Sequence, residues 1–130
     1  MLIVYIASDS KEFDNMEFTY RFPENGLSPW EQLDWMQEHL NEFLEKDITI
    51  CTFSPYILNF LNLMLAKKEL SFDNLEVYEL YTFEDDNGII GTDKESKKIF
   101  DKGMPLIDTR SYSHTISYIY DEYNKIRNKP

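Results

Sequence analysis

Hydrophobic and polar positions along this chain follow a two-residue period in some segments and a helical period in others. Apolar side chains run without interruption from Leu2 to Ile6, which predicts a buried strand. The alternation over Met16–Phe22 predicts a second strand. The polar turn between them, Ser8–Asn15, is too short for a helical crossover. We therefore expect the two strands to be antiparallel neighbours.

Two segments carry strong signals for the start of a helix. In the run Ser-Pro-Trp-Glu at 28–31, serine and glutamate can cap each other's backbone N–H groups, and proline takes the first helical position. The apolar stripe that follows predicts a helix ending near Lys46. Ser54 and Pro55 repeat this order and open a helix from Tyr56 to about Lys68, which is apolar on nearly every face. Such a helix is either buried within the domain or contacts a partner.

The remaining pattern contains further strands, a hairpin and two more helices. The predicted elements are a buried parallel strand over Ile48–Phe53, a strand over Leu75–Phe83, a return strand from Ile89, a polar helix over Lys94–Asp101 closed by Gly103, and a final helix from Tyr112 to about Asn128. Asn87-Gly88 predicts a hairpin turn in which both central residues have positive φ. The order of strands and helices predicts an α/β fold, a layered mixed sheet with a parallel crossover, flanked by helices.

Composition narrows the possible partners. The 130 residues fit a single domain over 1–130, and the 15% aromatic content argues against disorder. A net charge of -11 disfavours direct binding to nucleic acid or to anionic lipid. Cys51 is the only cysteine, so neither a disulfide nor a thiolate zinc site is expected. No apolar run approaches the ~20 residues of a membrane span. We expect a cytoplasmic protein without a bound cofactor.

Two stretches resemble motifs of a known family. The run Phe-Pro-Glu-Asn-Gly-Leu-Ser-Pro at 22–29 resembles the segment after the Walker B strand in ABC-type (SMC/RecF-like) AAA ATPases, which reads Asp-Glu-Pro-Glu-x-Gly-Leu-His-Pro. Residues 48–59 resemble the later switch segment of that family, where a buried strand ends in Thr-His-Ser-Pro. With the helix between them, the resemblance covers about residues 16–65, half of the chain. It implies a fold like the C-terminal lobe of a P-loop ATPase.

The departures from the family fall on its catalytic positions. Arg21 and Phe22 stand where the family has the aspartate that holds magnesium and the glutamate that positions the attacking water. Phe53 replaces the switch histidine that senses the terminal phosphate, and Ser28 replaces the histidine of the Leu-His-Pro element. No Gly-x-x-x-x-Gly-Lys-Ser/Thr loop is present, because Gly88–Lys94 has the wrong spacing. The resemblance therefore implies an ATPase-like lobe without catalytic residues.

Other candidate sites carry weaker signals. Glu84-Asp85-Asp86 in the hairpin turn is a candidate Mg²⁺ or Ca²⁺ site, but it lacks the EF-hand spacing, and a solvated turn is the ordinary use of such acids. The acidic loop of Asp9, Glu12 and Asp14 is a similar case. His114 lies beside serines without the Gly-x-Ser-x-Gly motif of hydrolases. Cys51 is expected to be a buried, inert thiol.

The last helix is the best candidate for contact with a partner. Its apolar residues follow a narrow helical seam, and tyrosine is enriched in protein interfaces. Packing on the chain's own sheet is the alternative use of the same residues. The predicted partner interface consists of Tyr112, Ile116, Ile119, Tyr120 and Tyr123.

Three functions are compatible with the sequence. The first is a non-catalytic interaction or regulatory module that docks on a full-length ATPase or on a second copy of itself. The second is an acidic decoy, whose charge imitates a phosphate backbone and occupies a nucleic-acid-binding protein. The third is a metal-dependent phosphoester hydrolase that uses Glu84–Asp86, which lacks any accompanying His, Lys or Arg constellation.

Overall fold

The fold is described from a computed structural model over residues 1–110 and 113–129, with side chains at these positions apart from 113–116. A short 3-10 turn covers Ser10–Phe13. Within the described residues the chain forms four α-helices and seven β-strands. In chain order they are β1 (Leu2–Ile6), β2 (Tyr20–Arg21), α1 (Pro29–Glu38), α2 (Leu40–Glu45), β3 (Ile48–Thr52), α3 (Tyr56–Ala66), β4 (Leu75–Glu84), β5 (Ile90–Ser96), β6 (Lys98–Asp101), β7 (Met104–Ile107) and α4 (Ser113–Arg127).

Five of the strands form one mixed sheet in the order β2-β3-β1-β4-β5. The neighbours β2 and β3, β3 and β1, and β1 and β4 run parallel, whereas β4 and β5 form an antiparallel hairpin. The strands β6 and β7 pair separately as a second hairpin. This architecture confirms the predicted α/β class, a mixed sheet with parallel crossovers and flanking helices.

The main core lies between one face of the sheet and the helices α1 and α3. Alternate residues of β1, such as Val4 and Ile6, are fully buried there, as the period of a strand requires. They share one apolar cluster with Met36 of α1 and with Ile57 and Leu61 of α3. Most apolar side chains of α3 are thus buried within the domain, although Leu63 and Tyr56 remain exposed.

The opposite face of the sheet packs against the segment that follows β1, which includes the 3-10 turn. Its smaller cluster contains Cys51 of β3 and Leu80 of β4, and Phe13 from the 3-10 turn packs against them. Burial raises the pKa of the Cys51 thiol to about 11, an effect that the nearby positive charge of Arg21 partly offsets. Cys51 is therefore the buried, protonated thiol that its place in the sequence predicts.

The helix predicted up to Lys46 is divided in two. Its start is as expected, because Ser28 Oγ accepts from the Glu31 N–H and Glu31 Oε1 accepts from the Ser28 N–H, each at 3.2 Å. The helix then breaks at His39, whose backbone leaves the helical region and whose Nδ1 lies 2.8 Å from the Trp35 carbonyl oxygen. The break separates α1 from α2.

The prediction for the second strand was wrong in its length and its pairing. β2 covers only Tyr20 and Arg21, lies at the edge of the sheet and runs parallel to β3. The hydrogen bond from the Thr19 N–H to the Thr49 carbonyl (2.8 Å) begins this pairing. The connection between β1 and β2 spans residues 7–19, which is long enough to carry the chain past β3 without a tight turn.

The predicted polar helix over Lys94–Asp101 was also wrong, because this segment is extended. Ser96 pairs with Tyr78 of β4, and the Lys97 N–H then donates to the Val77 carbonyl at 2.8 Å. Pairing along the edge of β4 therefore overrides the helical tendency of this polar stretch. Gly103 does not close a helix but forms the turn of the β6–β7 hairpin.

The pair of positive-φ residues predicted at Asn87-Gly88 is absent there and occurs in the other hairpin turn. Asn87-Gly88 does connect β4 to β5, but only Gly88 has positive φ (77°), and Asp85 Oδ1 accepts from the N–H groups of Asn87 and Ile89, each at 2.9 Å. In the β6–β7 hairpin Lys102 and Gly103 both have positive φ, 53° and 81°, which is the geometry of a two-residue hairpin loop.

In the described part of the chain, no helix has the length and apolar character to cross a membrane.

Candidate functional site

The two stretches that carry the family resemblance meet at the carboxyl ends of β2 and β3. Glu24, just after β2, accepts a hydrogen bond from the Phe53 N–H at Oε1 (3.1 Å). Its Oε2 lies 3.5 Å from the hydroxyl of Thr52, which ends β3. A carboxylate from the first stretch therefore binds the backbone and side chain of the second.

A second contact joins the helices that follow these stretches. The Ser54 hydroxyl donates to Gln32 Oε1 at 2.7 Å, and Gln32 Nε2 donates to the Leu27 carbonyl at 3.2 Å. Both Ser54 and Gln32 are buried. Ser54 was predicted to cap α3, but Pro55 is the cap residue, without a side-chain hydrogen bond. The serine holds α1 against α3 instead.

The resemblance aligns positions 21, 22 and 53 with catalytic residues of the ATPases. Here the side chains at these positions contact one another or enter the core. The guanidinium carbon of Arg21 lies 4.4 Å from the centre of the Phe53 ring and 4.9 Å from that of Phe13, within range of cation–π attraction. Phe22 is 1% exposed and packs edge-on against Trp35, with 5.3 Å between ring centres. A guanidinium and apolar rings supply none of the oxygen ligands that magnesium prefers.

Two of the acidic residues considered as metal ligands, Glu12 and Asp85, have local structural roles. Glu12 is buried, and its Oε1 accepts from the N–H groups of Ser8 and Asp9, each at 3.0 Å, while Oε2 accepts from the Thr82 hydroxyl at 3.2 Å. It thereby fixes the loop after β1 against β4. In the hairpin turn, Asp85 binds backbone N–H groups as described above. Across the described residues, no group of three or more His, Cys, Asp or Glu side chains is arranged to hold a metal ion.

A cleft of about 400 Å³ lies between the loop after β1 and strand β5. Tyr5 forms part of its floor and stacks on Tyr78, with 5.5 Å between ring centres. The Lys94 ammonium lies 4.2 Å from the centre of the Tyr78 ring. Lys11 and Asp93 also line the cleft, so its walls carry charges of both signs.

The apolar face of the last helix is exposed rather than packed on the sheet. Ile119, Tyr120 and Tyr123 are 59%, 66% and 58% exposed, and Ile126 is 70% exposed. Tyr112 and the side chain of Ile116, the other members of the predicted interface, lie outside the described residues, as does the side chain of His114. Ile119, Tyr123 and Ile126 are spaced by four and three residues and lie on one side of α4. We call these three residues the α4 stripe.

The connection between β7 and α4 is fixed to the sheet by a buried ion pair. Lys97 Nζ lies 3.1 Å from Glu79 Oε2 and also donates to the Arg110 carbonyl, while the Asp108 N–H donates to the Lys97 carbonyl at 2.7 Å. Hydrogen bonds from Arg110 hold the pKa of the Asp108 carboxyl below its usual value. The chain is thus anchored three residues before α4 begins.

Sequence reasoning missed an apolar groove between α3 and the β6–β7 hairpin. Its volume is about 470 Å³. The side chain of Asn62 brackets Ile107, donating to its carbonyl and accepting from its N–H at 2.8 Å each, which fixes the hairpin beside α3. The predicted polar helix over Lys94–Asp101 contains none of the groove residues, and no element was predicted over Met104–Leu106. The lining of the groove includes Leu65, Ala66, Leu70, Phe72, Met104 and Leu106.

Comparison of this chain with protein-family models, with curated proteins and with solved structures finds no match.

Proposed function

We propose that this chain is a non-catalytic protein-interaction module, which docks on a protein partner through the α4 stripe. The exposure of Ile119, Tyr123 and Ile126 carries this proposal. A helix normally turns its apolar side towards a core, and a cluster of exposed apolar side chains on a folded domain marks an interaction surface. Tyrosine and isoleucine provide apolar area on such a surface, and the tyrosine hydroxyl can form hydrogen bonds with water before docking.

The absence of catalysis is part of the same proposal. If the chain descends from an ATPase lobe, magnesium and water would be handled at positions 21 and 22 and the terminal phosphate at position 53. Arg21 and Phe53 stack on each other, and Phe22 is buried, which favours a structural use of all three positions. The sequence also lacks a phosphate-binding loop, so we expect neither nucleotide binding nor turnover.

The partner that fits this surface presents an apolar groove to a helix. Helix-in-groove recognition uses anchors at positions i, i+4 and i+7, which is the spacing of the α4 stripe. The two leading candidates for the partner are a full-length ATPase, which the resemblance suggests, and a second copy of the chain. The attraction is mainly apolar, so the complex should survive high salt, unlike a decoy held by the charge of -11.

The test is affinity capture from the native cell with tagged protein, washed at low and at high salt, followed by identification of the retained proteins. Tyr123→Asp disrupts the α4 stripe, and Tyr118→Asp is its matched control, because Tyr118 is 65% exposed on the same helix but off the stripe. We expect a partner that resists salt, is lost with Tyr123→Asp and is retained with Tyr118→Asp. Equal capture by both variants, or a partner that only low salt retains, would overturn the proposal.

A nucleotide-binding assay tests the catalytic part separately. We expect no change in the fluorescence of an ATP analogue with the wild-type chain. The same result is expected with the double variant Arg21→Asp, Phe22→Glu, because restoring two carboxylates does not supply the phosphate loop. Saturable ATP binding by the wild-type chain would contradict the non-catalytic assignment.

A further inference from the structure

A second exposed apolar surface lies where the start of α1 meets the first half of α3. Pro29, Trp30 and Leu33 of α1 line a depression of about 220 Å³ together with Phe60 of α3. The ring of Tyr56, which is 47% exposed, stacks with the ring of Phe60 at 6.5 Å between ring centres. We call these five residues the α1–α3 patch.

Trp30 is the most accessible member of the α1–α3 patch. It is 76% exposed, the largest fraction among the large apolar side chains that the structure describes. Because Gln32 and Met36 take the buried side of α1, the helical period turns Trp30 away from the core. Tryptophan is enriched among the side chains that contribute most to binding in protein interfaces. An indole left in water at the edge of an apolar depression therefore indicates a docking surface.

The border of the patch along α1 is negatively charged. Asp34 lies one helical turn after Trp30, and Glu38 lies one turn further. Both carboxylates line a neighbouring depression of about 300 Å³ together with Glu31. Neither Asp34 nor Glu38 forms an ion pair within the part of the chain that the structure describes. Since α1 contains no lysine or arginine, this negative charge is uncompensated along the helix.

We propose that the α1–α3 patch docks a basic amphipathic helix of a partner protein. An apolar side chain of that helix packs on Trp30 in the depression, and its lysine or arginine residues pair with Asp34 and Glu38. Charge complementarity selects this occupant, because an acidic border attracts a basic segment and repels anionic lipid and nucleic acid. The patch shares no element with the α4 stripe, so this inference does not depend on the proposed function.

The geometry of α1 sets the spacing that the partner helix requires. With a rise of 1.5 Å per residue, Asp34 and Glu38 lie about 6 Å and about 12 Å from Trp30 along the helix axis. A helix lying along α1 therefore presents its basic residues about four and about eight positions from its apolar anchor. The opposite border adds no competing charge, since Tyr56–Ala66 contains no charged residue and Lys67 beyond it pairs with Glu69.

The experiment titrates synthetic helical peptides into the full chain at low salt and measures binding by calorimetry. The first peptide has leucines on one face and lysines four and eight positions from the central leucine. In the second peptide glutamates replace these lysines, and in the third the lysines move to the opposite face of the helix. We expect the first peptide to bind with a Kd below about 100 μM and the other two to bind at least about tenfold more weakly. The tryptophan emission should shift to shorter wavelength as Trp30 leaves water.

Two variants test the apolar part of the contact. Trp30→Ala should weaken binding of the first peptide by at least about tenfold, as the loss of an interface hot spot does, and should remove the emission shift. Ile89→Ala is the matched control, because Ile89 is 63% exposed in the turn between β4 and β5, and it should leave the Kd unchanged. Circular dichroism of each variant confirms that the fold is retained.

Two double variants test the charged part. Asp34→Asn with Glu38→Gln should weaken binding about threefold or more and make the Kd less sensitive to salt, because two exposed ion pairs are lost. Asp86→Asn with Glu17→Gln is the matched control, since it removes the same number of charges at exposed positions outside the patch. This control should change the Kd much less.

Other results would overturn the proposal. Equal binding of the lysine and glutamate peptides would mean that the patch does not select a basic partner. An equal loss in both double variants would assign the attraction to the net charge of -11 rather than to the border of the patch. A loss with Tyr123→Asp but not with Trp30→Ala would place the peptide on the α4 stripe. If the first peptide does not bind even at about 1 mM, the patch does not dock a basic helix.

Discussion

The buried ion pair between Lys97 and Glu79 allows a strong prediction, because it joins the sheet to the connection before α4. Lys97 is 3% exposed and Glu79 is 1% exposed, and their charged atoms lie 3.1 Å apart. Lys97 Nζ also donates to the carbonyl of Arg110. The substitution Lys97→Met keeps much of the side-chain volume and removes the positive charge and both hydrogen bonds.

The magnitude follows from the burial of both side chains. Removing one partner of a buried pair costs about 3–5 kcal/mol, since the other charge stays in a medium that solvates it poorly. That is a large fraction of the roughly 5–15 kcal/mol that stabilises a typical domain. The double variant Lys97→Met, Glu79→Leu removes both charges, so it should recover most of the loss.

The assay is urea unfolding followed by circular dichroism, which gives the free energy of unfolding of each variant. Lys98→Met is the matched control, because Lys98 Nζ lies 3.5 Å from Glu76 Oε1 in a more exposed pair. Water screens such a pair, and we expect a loss of about 1 kcal/mol or less.

Three results would refute this reasoning. A loss for Lys97→Met that does not exceed the loss for Lys98→Met would mean that burial adds nothing to the pair. A double variant as unstable as Lys97→Met alone would mean that the remaining charge of Glu79 is not the source of the cost. A changed urea slope would indicate that the substitution alters the native or the unfolded ensemble instead.

Three further predictions test the contacts around the two motif stretches. Glu24→Ala should lower the free energy of unfolding by about 1–3 kcal/mol, because it removes the carboxylate oxygen that accepts from the Phe53 N–H. Glu24→Gln keeps an acceptor oxygen and should lose less; equal losses in urea unfolding would contradict the hydrogen bond. Ser28→Ala should cost about 1 kcal/mol by removing the cap that Ser28 forms with Glu31, with Ser28→Asp as the control that keeps it; a thermal melt that does not change would exclude the cap. Burial raises the pKa of the Cys51 thiol to about 11, so little thiolate is present below that pH. Alkylation of Cys51 at about pH 9 should therefore be at least about tenfold slower in the native chain than in urea. Similar rates in the two states would refute the burial of this thiol.

Local pattern was sufficient for the elements whose residues determine their own conformation. The apolar run of β1, the β-branched residues of β3 and the capping box at Ser28 each predict a structure that the fold retains. These signals depend on neighbours within a few residues, through side-chain alternation and capping hydrogen bonds. The α/β class follows from their order.

The candidate sites were predictable only in part. The α4 stripe follows from its spacing, but its exposure does not, because the same pattern fits packing on the sheet. Glu24 and Phe53 are in the stretches that the resemblance names, yet their hydrogen bond depends on β2 and β3 being neighbours. The groove has no signature in the sequence, since it forms between α3 and a hairpin distant in the chain.

The sequence by itself determined where most strands and helices begin, which side of each is apolar, and which acidic and aromatic side chains are present. Only the tertiary structure decided that β2 lies parallel at the far edge, that residues 94–101 are extended, and that Lys97 is buried against Glu79. Strand pairing and charge burial depend on partners far away in sequence. Their free energies depend on which surfaces meet, and no local pattern encodes that.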